Sequence, residues 1–130
     1  MILSGKAIRL ALQKQLLSIT PLSDDDIKKA HVDLHLDGEP GSSIVVPAKS
    51  FIVAKTREKI TLADSLCGFM EGRSRLAQQG ISVEQSSTLI EPGSDNPMAL
   101  EIFNASDTPF TLEAGQPIAK MYLLKLTDEI

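Results

Sequence analysis

Cysteine is nearly absent from this chain. Cys67 stands alone, which rules out an internal disulfide and suits a reducing compartment. No apolar run approaches the length of a membrane span, and the N-terminus has no signal-peptide core. Positive charge is not in excess either: 13 Lys and Arg stand against 17 Asp and Glu, a net charge of -4. That balance argues against a general binder of nucleic acid or of acidic membrane surfaces, while leaving room for a local basic site. Repeats, linkers and low-complexity segments are missing as well. What remains is ordinary for a soluble globular protein, with 42% apolar and 23% charged residues. One domain over residues 1–130 is expected, cytoplasmic, able to bury about two-thirds of its unfolded surface and compatible with assembly into an oligomer.

Hydrophobic spacing divides the chain in two. Residues 1–17 read as a helix: Ser4 can cap it, and Ile8, Leu12 and Leu16 recur every four residues with Ala11 beside them. Asp24, Asp25 and Asp26 lack the spaced ligands and glycine of a calcium loop, so they read as a solvated loop or helix start. From His31 the period becomes two. Val32, Leu34 and Leu36 fall on one face, with His31, Asp33 and His35 on the other. Residues 37–43 are turn chemistry. Short strands are expected at 44–46, 51–55, 60–62, 81–83, 98–103, 110–112 and 118–126, separated by Gly, Pro and Asn turns. This pattern is an all-β barrel or sandwich with one N-terminal helix.

Several residues are candidates for chemistry. His31 and His35 invite a metal site with Cys67, but four residues of strand span about 13 Å, too far for two rings to grip one ion. Cys67, between Leu66 and Gly68 with no evident base, reads as a buried inert thiol. Arg73, Ser74 and Arg75 lie in a glycine-bounded turn leading into a short helical piece closed by Gly80. An arginine and a hydroxyl at a helix start can hold an anion such as phosphate; the same residues also fit a solvated loop with a surface salt bridge. Glu101 is the one inward carboxylate candidate of an alternating strand, with Leu100 and Ile102 on the opposite face and Ala99 and Phe103 on its own. It suits either proton transfer or an ordinary amphipathic strand.

Taken together the motifs say more. Gly72-Arg73-Ser74-x-Leu76-Ala77-x-x-Gly80, then Ile90-x-Pro92-Gly93, then Leu100-Glu101-Ile102-Phe103-Asn104, resembles the dCTP deaminase branch of the trimeric dUTPase superfamily. The opening MILSGKAIRLAL, the stretch from Ala30 to Leu36 and Gly115-Gln116-Pro117-Ile118-Ala119 agree with it, in order along the chain. The resemblance implies a distorted jelly-roll or β-clip fold, a homotrimer and active sites shared between subunits. It assigns Arg73, Ser74 and Arg75 to the triphosphate of a pyrimidine deoxynucleotide, Ala99 to the base through its backbone, and Glu91 to the sugar. Glu101, working with Ser74, would be the general acid/base of a zinc-independent deamination of dCTP. Mg2+ would arrive on the triphosphate.

This sequence also departs from that pattern. Glu91 stands where the pattern has aspartate, and Gln78 where it has an arginine that helps hold the catalytic water. Ser86 and Ser87 replace a Thr-Ala pair near the base. The tail that closes over the nucleotide has no counterpart up to Ile130, so a wetter site with fewer triphosphate contacts is expected. Two other functions therefore stand beside deamination. One is a dUTPase-type diphosphatase using Glu91 and Mg2+; the other is a non-catalytic nucleotide-binding or interaction protein on the same trimer.

Overall fold

A computed structural model describes residues 1–85 and 89–128. Helix α1 runs from Gly5 to Gln13, and the Ser4 side chain caps it by accepting from the Ala7 N–H. It ends four residues before the spacing predicts. Gln15 takes a left-handed conformation (φ 60°), Gln15 N–H bonds to Leu12 C=O, and Leu16 N–H reaches back to Ala11 C=O. These two bonds close the helix in a Schellman turn and release Leu17 into a strand. A 3-10 turn at Asp24–Asp26 follows, closed by reciprocal bonds between Ser23 and Asp26.

Among the described residues ten strands follow from Leu17: β1 (Leu17–Thr20), β2 (Val32–His35), β3 (Ser43–Val46), β4 (Ser50–Leu62), β5 (Leu66–Gly72), β6 (Ile81–Ser82), β7 (Leu89–Ile90), β8 (Asp95–Asn104), β9 (Phe110–Glu113) and β10 (Pro117–Lys125). They form two four-stranded sheets, ordered β1-β4-β8-β6 and β2-β10-β5-β7, with β3 and β9 as a separate ribbon. The pairings are antiparallel, and the whole is a dUTPase-like distorted jelly roll. Between the sheets lie Leu100 and Ile102 of β8, Ile60 of β4, Val32 and Leu34 of β2, and Met121 and Leu123 of β10, all buried. Each contributes about 1.5–3 kcal/mol of apolar burial.

Strands β1, β5 and β7 fall where the sequence reading expected none, and two expected segments merge. Segments 51–55 and 60–62 are one long strand, β4, whose register against β8 shifts between Lys55 and Lys59. Thr56 bridges that bulge: its hydroxyl donates to Glu58 C=O and accepts from Met98 N–H, both at 2.9 Å. Strand β5 has no period-two signature, because Leu66, Cys67 and Gly68 in succession are buried. Burial on both faces erases the alternation by which strands are recognised.

The outer face of the β4–β8 ladder is apolar. Phe51 and Val53 are 56% and 69% exposed, and in register they oppose Phe103 and Glu101. Glu101 therefore points away from the core, whereas the sequence reading had it inward; Leu100 and Ile102 take the inner side.

Candidate functional site

Strand β5 ends at Gly72 because another segment passes close by: a Cβ there would lie 3.3 Å from Val83 Cγ2 and 3.9 Å from Glu84 Oε2. The chain then leaves the sheet at Arg73 and makes a single helical turn, α2 (Ser74–Ala77). Gly80 ends the turn at φ +89°, in the left-handed region that favours glycine. One turn carries little dipole, so attraction for an anion here comes from side chains.

Those side chains converge on a cleft of about 530 Å³. Arg73, Arg75 and Lys120 supply positive charge; Ser74, Thr111, Gln79 and Gln116 supply neutral donors; Leu76 and Phe110 are its apolar walls. Among the described residues no carboxylate lines it. Arg73 is held in place by Asp33 (Nη1–Oδ1 3.2 Å), which also receives His31 Nε2 at 3.2 Å and lies 3.9 Å from Lys28 Nζ. Lys120 sits in register between Asp33 and Glu71, yet makes no ion pair within 4 Å among the described residues.

Two further clefts meet the first at Arg73 and Lys120. One, of about 340 Å³, shares Ser74 as well and is walled by Ala77, Ile81, Val83, Glu71 and Glu84. The other, of about 540 Å³, opens toward Lys28, Lys29, His31 and Tyr122. Glu84 is the electrostatic anomaly of the group. Its Oε2 is buried without a hydrogen-bond partner among the described residues. Burial is the main cause that lifts its pKa above the usual carboxylate value; a hydrogen bond from the Val83 backbone opposes this and the Glu71 charge adds to it. Tyr122 is also shifted upward, chiefly because its hydroxyl donates to Glu71 Oε1 at 2.8 Å.

A carboxyl whose pKa is raised by folding stabilises the fold below the ordinary carboxylate range, and that contribution is lost as pH rises through the raised value. Glu84→Gln, which removes the charge, is therefore expected to melt higher than the unmodified protein at pH 8. The difference is expected to shrink toward pH 4. Thermal denaturation of both proteins across that range checks it; a difference that grows toward low pH would contradict the assignment.

The remaining predicted residues fall elsewhere. Glu101 is tied to the segment that walls the second cleft: its N–H donates to Val83 C=O at 3.0 Å, and its Oε1 accepts from Gln85 N–H at 3.3 Å. Ala99 lies two residues away on the same outer face, opposite Lys55. Glu91 is exposed in the corner that leads into β8, where Ser94 N–H bonds to its carbonyl. From Asp95, at the start of β8, to Glu101 is six residues of strand, about 20 Å, so one chain does not bring Glu91 and Glu101 together. Gln78 is exposed at the C-terminal end of α2, and it is Gln79 that lines the cleft. Ser86 and Ser87 lie outside the described residues. The two histidines have separate partners, His31 with Asp33 and His35 with Glu58, while Cys67 is buried.

A family model described as dCTP deaminase-like matches residues 38–126. The chain belongs to the dCTP deaminase-like family. A protein named dCTP deaminase, dUMP-forming, from Mycolicibacterium gilvum is 30% identical to it over 155 residues, spanning 98% of this chain and 82% of that one. Its namesake from a Sulfurihydrogenibium species is 29% identical, spanning 98% and 86%. Among solved structures, the 2'-deoxycytidine 5'-triphosphate deaminase of Agrobacterium tumefaciens superposes with a TM-score of 0.77 at 18% identity, over 94% of this chain. This chain spans 47% of that one, about half its length. The dUTPase of EIAV superposes with a TM-score of 0.66 at 21% identity, over 88% of this chain and 92% of its own. At such identities the structural likeness establishes the fold.

In this deaminase-like chain, sequence reasoning missed Lys120, Glu84, Gln79 and Thr111. Lys120 did carry a signal. It is a cation in the middle of β10, with apolar Ala119 and Met121 beside it and the strand's other lysine, Lys125, at its end, the mirror of the argument that singled out Glu101. Glu84 carried none, because its burial depends on Gly72, twelve residues away in the chain. Among the described residues, no helix is long and apolar enough to cross a membrane.

Proposed function

We propose that this protein binds a pyrimidine deoxynucleoside triphosphate with its phosphates in the cleft of Arg73, Ser74, Arg75 and Lys120, and deaminates dCTP. The observation that carries the reading is the charge of that cleft: three cations and no carboxylate, in a chain of net charge -4. Phosphate oxygens accept charge-assisted hydrogen bonds from such groups. Magnesium on the triphosphate would offset phosphate charge.

In the reaction, water adds to C4 of cytosine. Glu101 takes one proton from that water and gives it to the ring nitrogen N3; it then carries the second, from the hydroxyl formed at C4, to the amino group, and ammonia leaves as the C4 carbonyl forms; Ser74 holds the water. Glu101 stands on an outer face flanked by exposed Phe51 and Val53. This supports a site completed by another copy of the chain, as in a cytoplasmic homotrimer, with the Arg73 cleft of one protomer against the Glu101 face of its neighbour.

The name dUMP-forming, carried by the relatives, favours a second reaction in the same site. Turning dCTP into dUMP requires loss of pyrophosphate as well as of ammonia. Glu91, with Mg2+ on the triphosphate, is the residue we assign to that hydrolysis. Following ammonia and pyrophosphate separately, with dCTP and dUTP as substrates, tests the whole reading. Ammonia from dCTP is expected, with pyrophosphate lost in Glu91→Ala. Saturable binding with neither product would make the protein a nucleotide binder without turnover. Arg73→Ala is expected to weaken triphosphate binding about 10- to 100-fold, measured by calorimetry. Unchanged affinity would remove Arg73 from the site.

A further inference from the structure

Beyond Arg73 and Lys120 the Arg73 cleft continues in two directions of opposite charge. One, the smaller cleft, holds Glu71 and Glu84 and repels an anion. The other is the cleft of about 540 Å³, where Lys28 and Lys29 join Arg73 and Lys120. Asp33 is its one carboxylate among the described residues, and it already faces Arg73, His31 and Lys28. The polar tips of the two rings there are engaged as well, His31 Nε2 with Asp33 and the Tyr122 hydroxyl with Glu71. Lys29 and Lys120 make no ion pair within 4 Å among the described residues. What this cleft has to offer a ligand is therefore ammonium charge. The backbone under the lysines is fixed. Ile27 bridges Val32 in antiparallel fashion and Lys28 N–H bonds to His31 C=O at 2.8 Å, so Lys28 and Lys29 ride on a tight hairpin turn. Gly5 packs beneath that turn: its N–H donates to Lys29 C=O at 2.7 Å, and a Cβ on it would collide with the Lys28 carbonyl. A turn anchored in this way loses little backbone freedom on binding.

We propose that this cleft seats the terminal phosphate of the nucleotide: the triphosphate lies across Arg73 and Lys120, with its last phosphate among Lys28, Lys29 and Lys120. The proposal rests on the nucleotide reading above and adds to it a pair of residues that select for the number of phosphates. Lys28 Nζ and Arg73 Nη1 approach different oxygens of the same Asp33 carboxylate, at 3.9 and 3.2 Å, so one phosphate chain can pass from the first cation to the second. Lysine ammonium groups bind phosphate oxygens as point charges and need no planar match. The nucleoside stays on the Glu101 side, away from the lysines. A diphosphate anchored by its nucleoside therefore stops short of Lys28 and Lys29, whereas a triphosphate reaches them. Preference for the triphosphate is the difference between those two affinities.

The test titrates the whole chain and its Lys28→Ala/Lys29→Ala variant by calorimetry with dCTP, dCDP and dCMP. Both side chains are exposed and the hydrogen bonds of the turn are made by the backbone, so the fold is spared. A Lys14→Ala/Lys125→Ala protein, which loses the same charge at a separate cleft beside α1, is the control. Lys28→Ala/Lys29→Ala is expected to weaken dCTP about tenfold or more and dCDP and dCMP by no more than about twofold. The control is expected to bind all three as the unmodified protein does. Undiminished dCTP binding, or a loss for dCTP less than about threefold that for dCDP, overturns the assignment. A control that loses as much dCTP affinity also overturns it, since general charge would then account for the effect. In each of these cases the nucleotide reading stands, because the unmodified protein still binds dCTP. An unmodified protein that binds none of the three overturns that reading and this assignment with it.

Discussion

Glu101→Gln is expected to slow ammonia release from dCTP by about 10²- to 10⁴-fold, the range that positioned proton transfer contributes. The substitution is chosen to spare the fold. A glutamine keeps an acceptor oxygen for the Gln85 N–H, now 3.3 Å from Glu101 Oε1, and the bond from the backbone N–H at 101 to Val83 C=O does not involve the side chain. Leu100 and Ile102 still fill the core from the other face. What the amide cannot do is accept a proton from water and hand it on. The expected result is therefore a lost kcat, with dCTP affinity and Tm close to those of the unmodified protein. Steady-state ammonia release, paired with a binding titration, distinguishes this from a structural role. Undiminished turnover in Glu101→Gln would remove Glu101 from the chemistry. Collapse of binding and Tm together would make it a strut of the 83–85 segment.

Glu58→Ala is expected to cost about 3–5 kcal/mol of stability, the usual penalty for stripping one partner from a buried charged pair. Glu58 is fully buried. Its Oε1 accepts from the His35 backbone N–H at 2.9 Å, and its Oε2 lies 2.6 Å from His35 Nδ1 and 3.6 Å from Arg57 Nη2. On the far side of the ring, His35 Nε2 is 3.4 Å from Asp26 Oδ1. Alanine leaves the His35 N–H and ring nitrogen without Glu58 in the interior and opens a hole beside them. For a chain of 130 residues this corresponds to a Tm lower by about 10–20 °C. Glu58→Gln keeps the size and one acceptor, and is expected to lose less. Because His35 pairs with Pro117, and Leu36 N–H bonds to Gln116 C=O, the damage is expected to reach the end of the Arg73 cleft that Gln116 lines. Thermal melts of both variants, with a tripolyphosphate titration at low temperature, check the two effects. A loss below about 1 kcal/mol would mean that solvent replaces Glu58 at little cost.

Much of the fold was legible because its signals are local. Period-two alternation placed β2, β8 and β10, and on β2 it separated the faces, with Val32 and Leu34 buried; on β8 the buried face is that of Leu100 and Ile102, opposite to the inward Glu101 of the sequence reading. Ser4 was a readable cap because capping is a bond over three residues. The failures are equally physical. The end of α1 depended on Gln15 adopting a left-handed conformation, for which glycine is the usual marker. Strand β5, buried on both faces at its start and carrying exposed Phe69 on its outer face, had little alternation to read, and the bulge that keeps β4 continuous relies on one hydroxyl, that of Thr56.

The candidate site divides in the same way. Order and spacing of motifs along the chain sufficed to indicate the dCTP deaminase-like family and to single out Arg73, Ser74, Arg75 and Glu101 as candidates, since each is a property of residues close together in sequence. Only the tertiary structure decided which groups share a cleft. It brought Lys120 of β10 beside Arg73, pressed Glu84 against Gly72 until one carboxylate oxygen lost both water and partner, and put Glu101 and Ala99 on an outer face away from Glu91. The physical reason is that the charge a side chain feels, and the solvent it loses, come from strands adjacent in the sheets but distant in the chain. Such neighbours leave no periodicity behind in the amino-acid sequence.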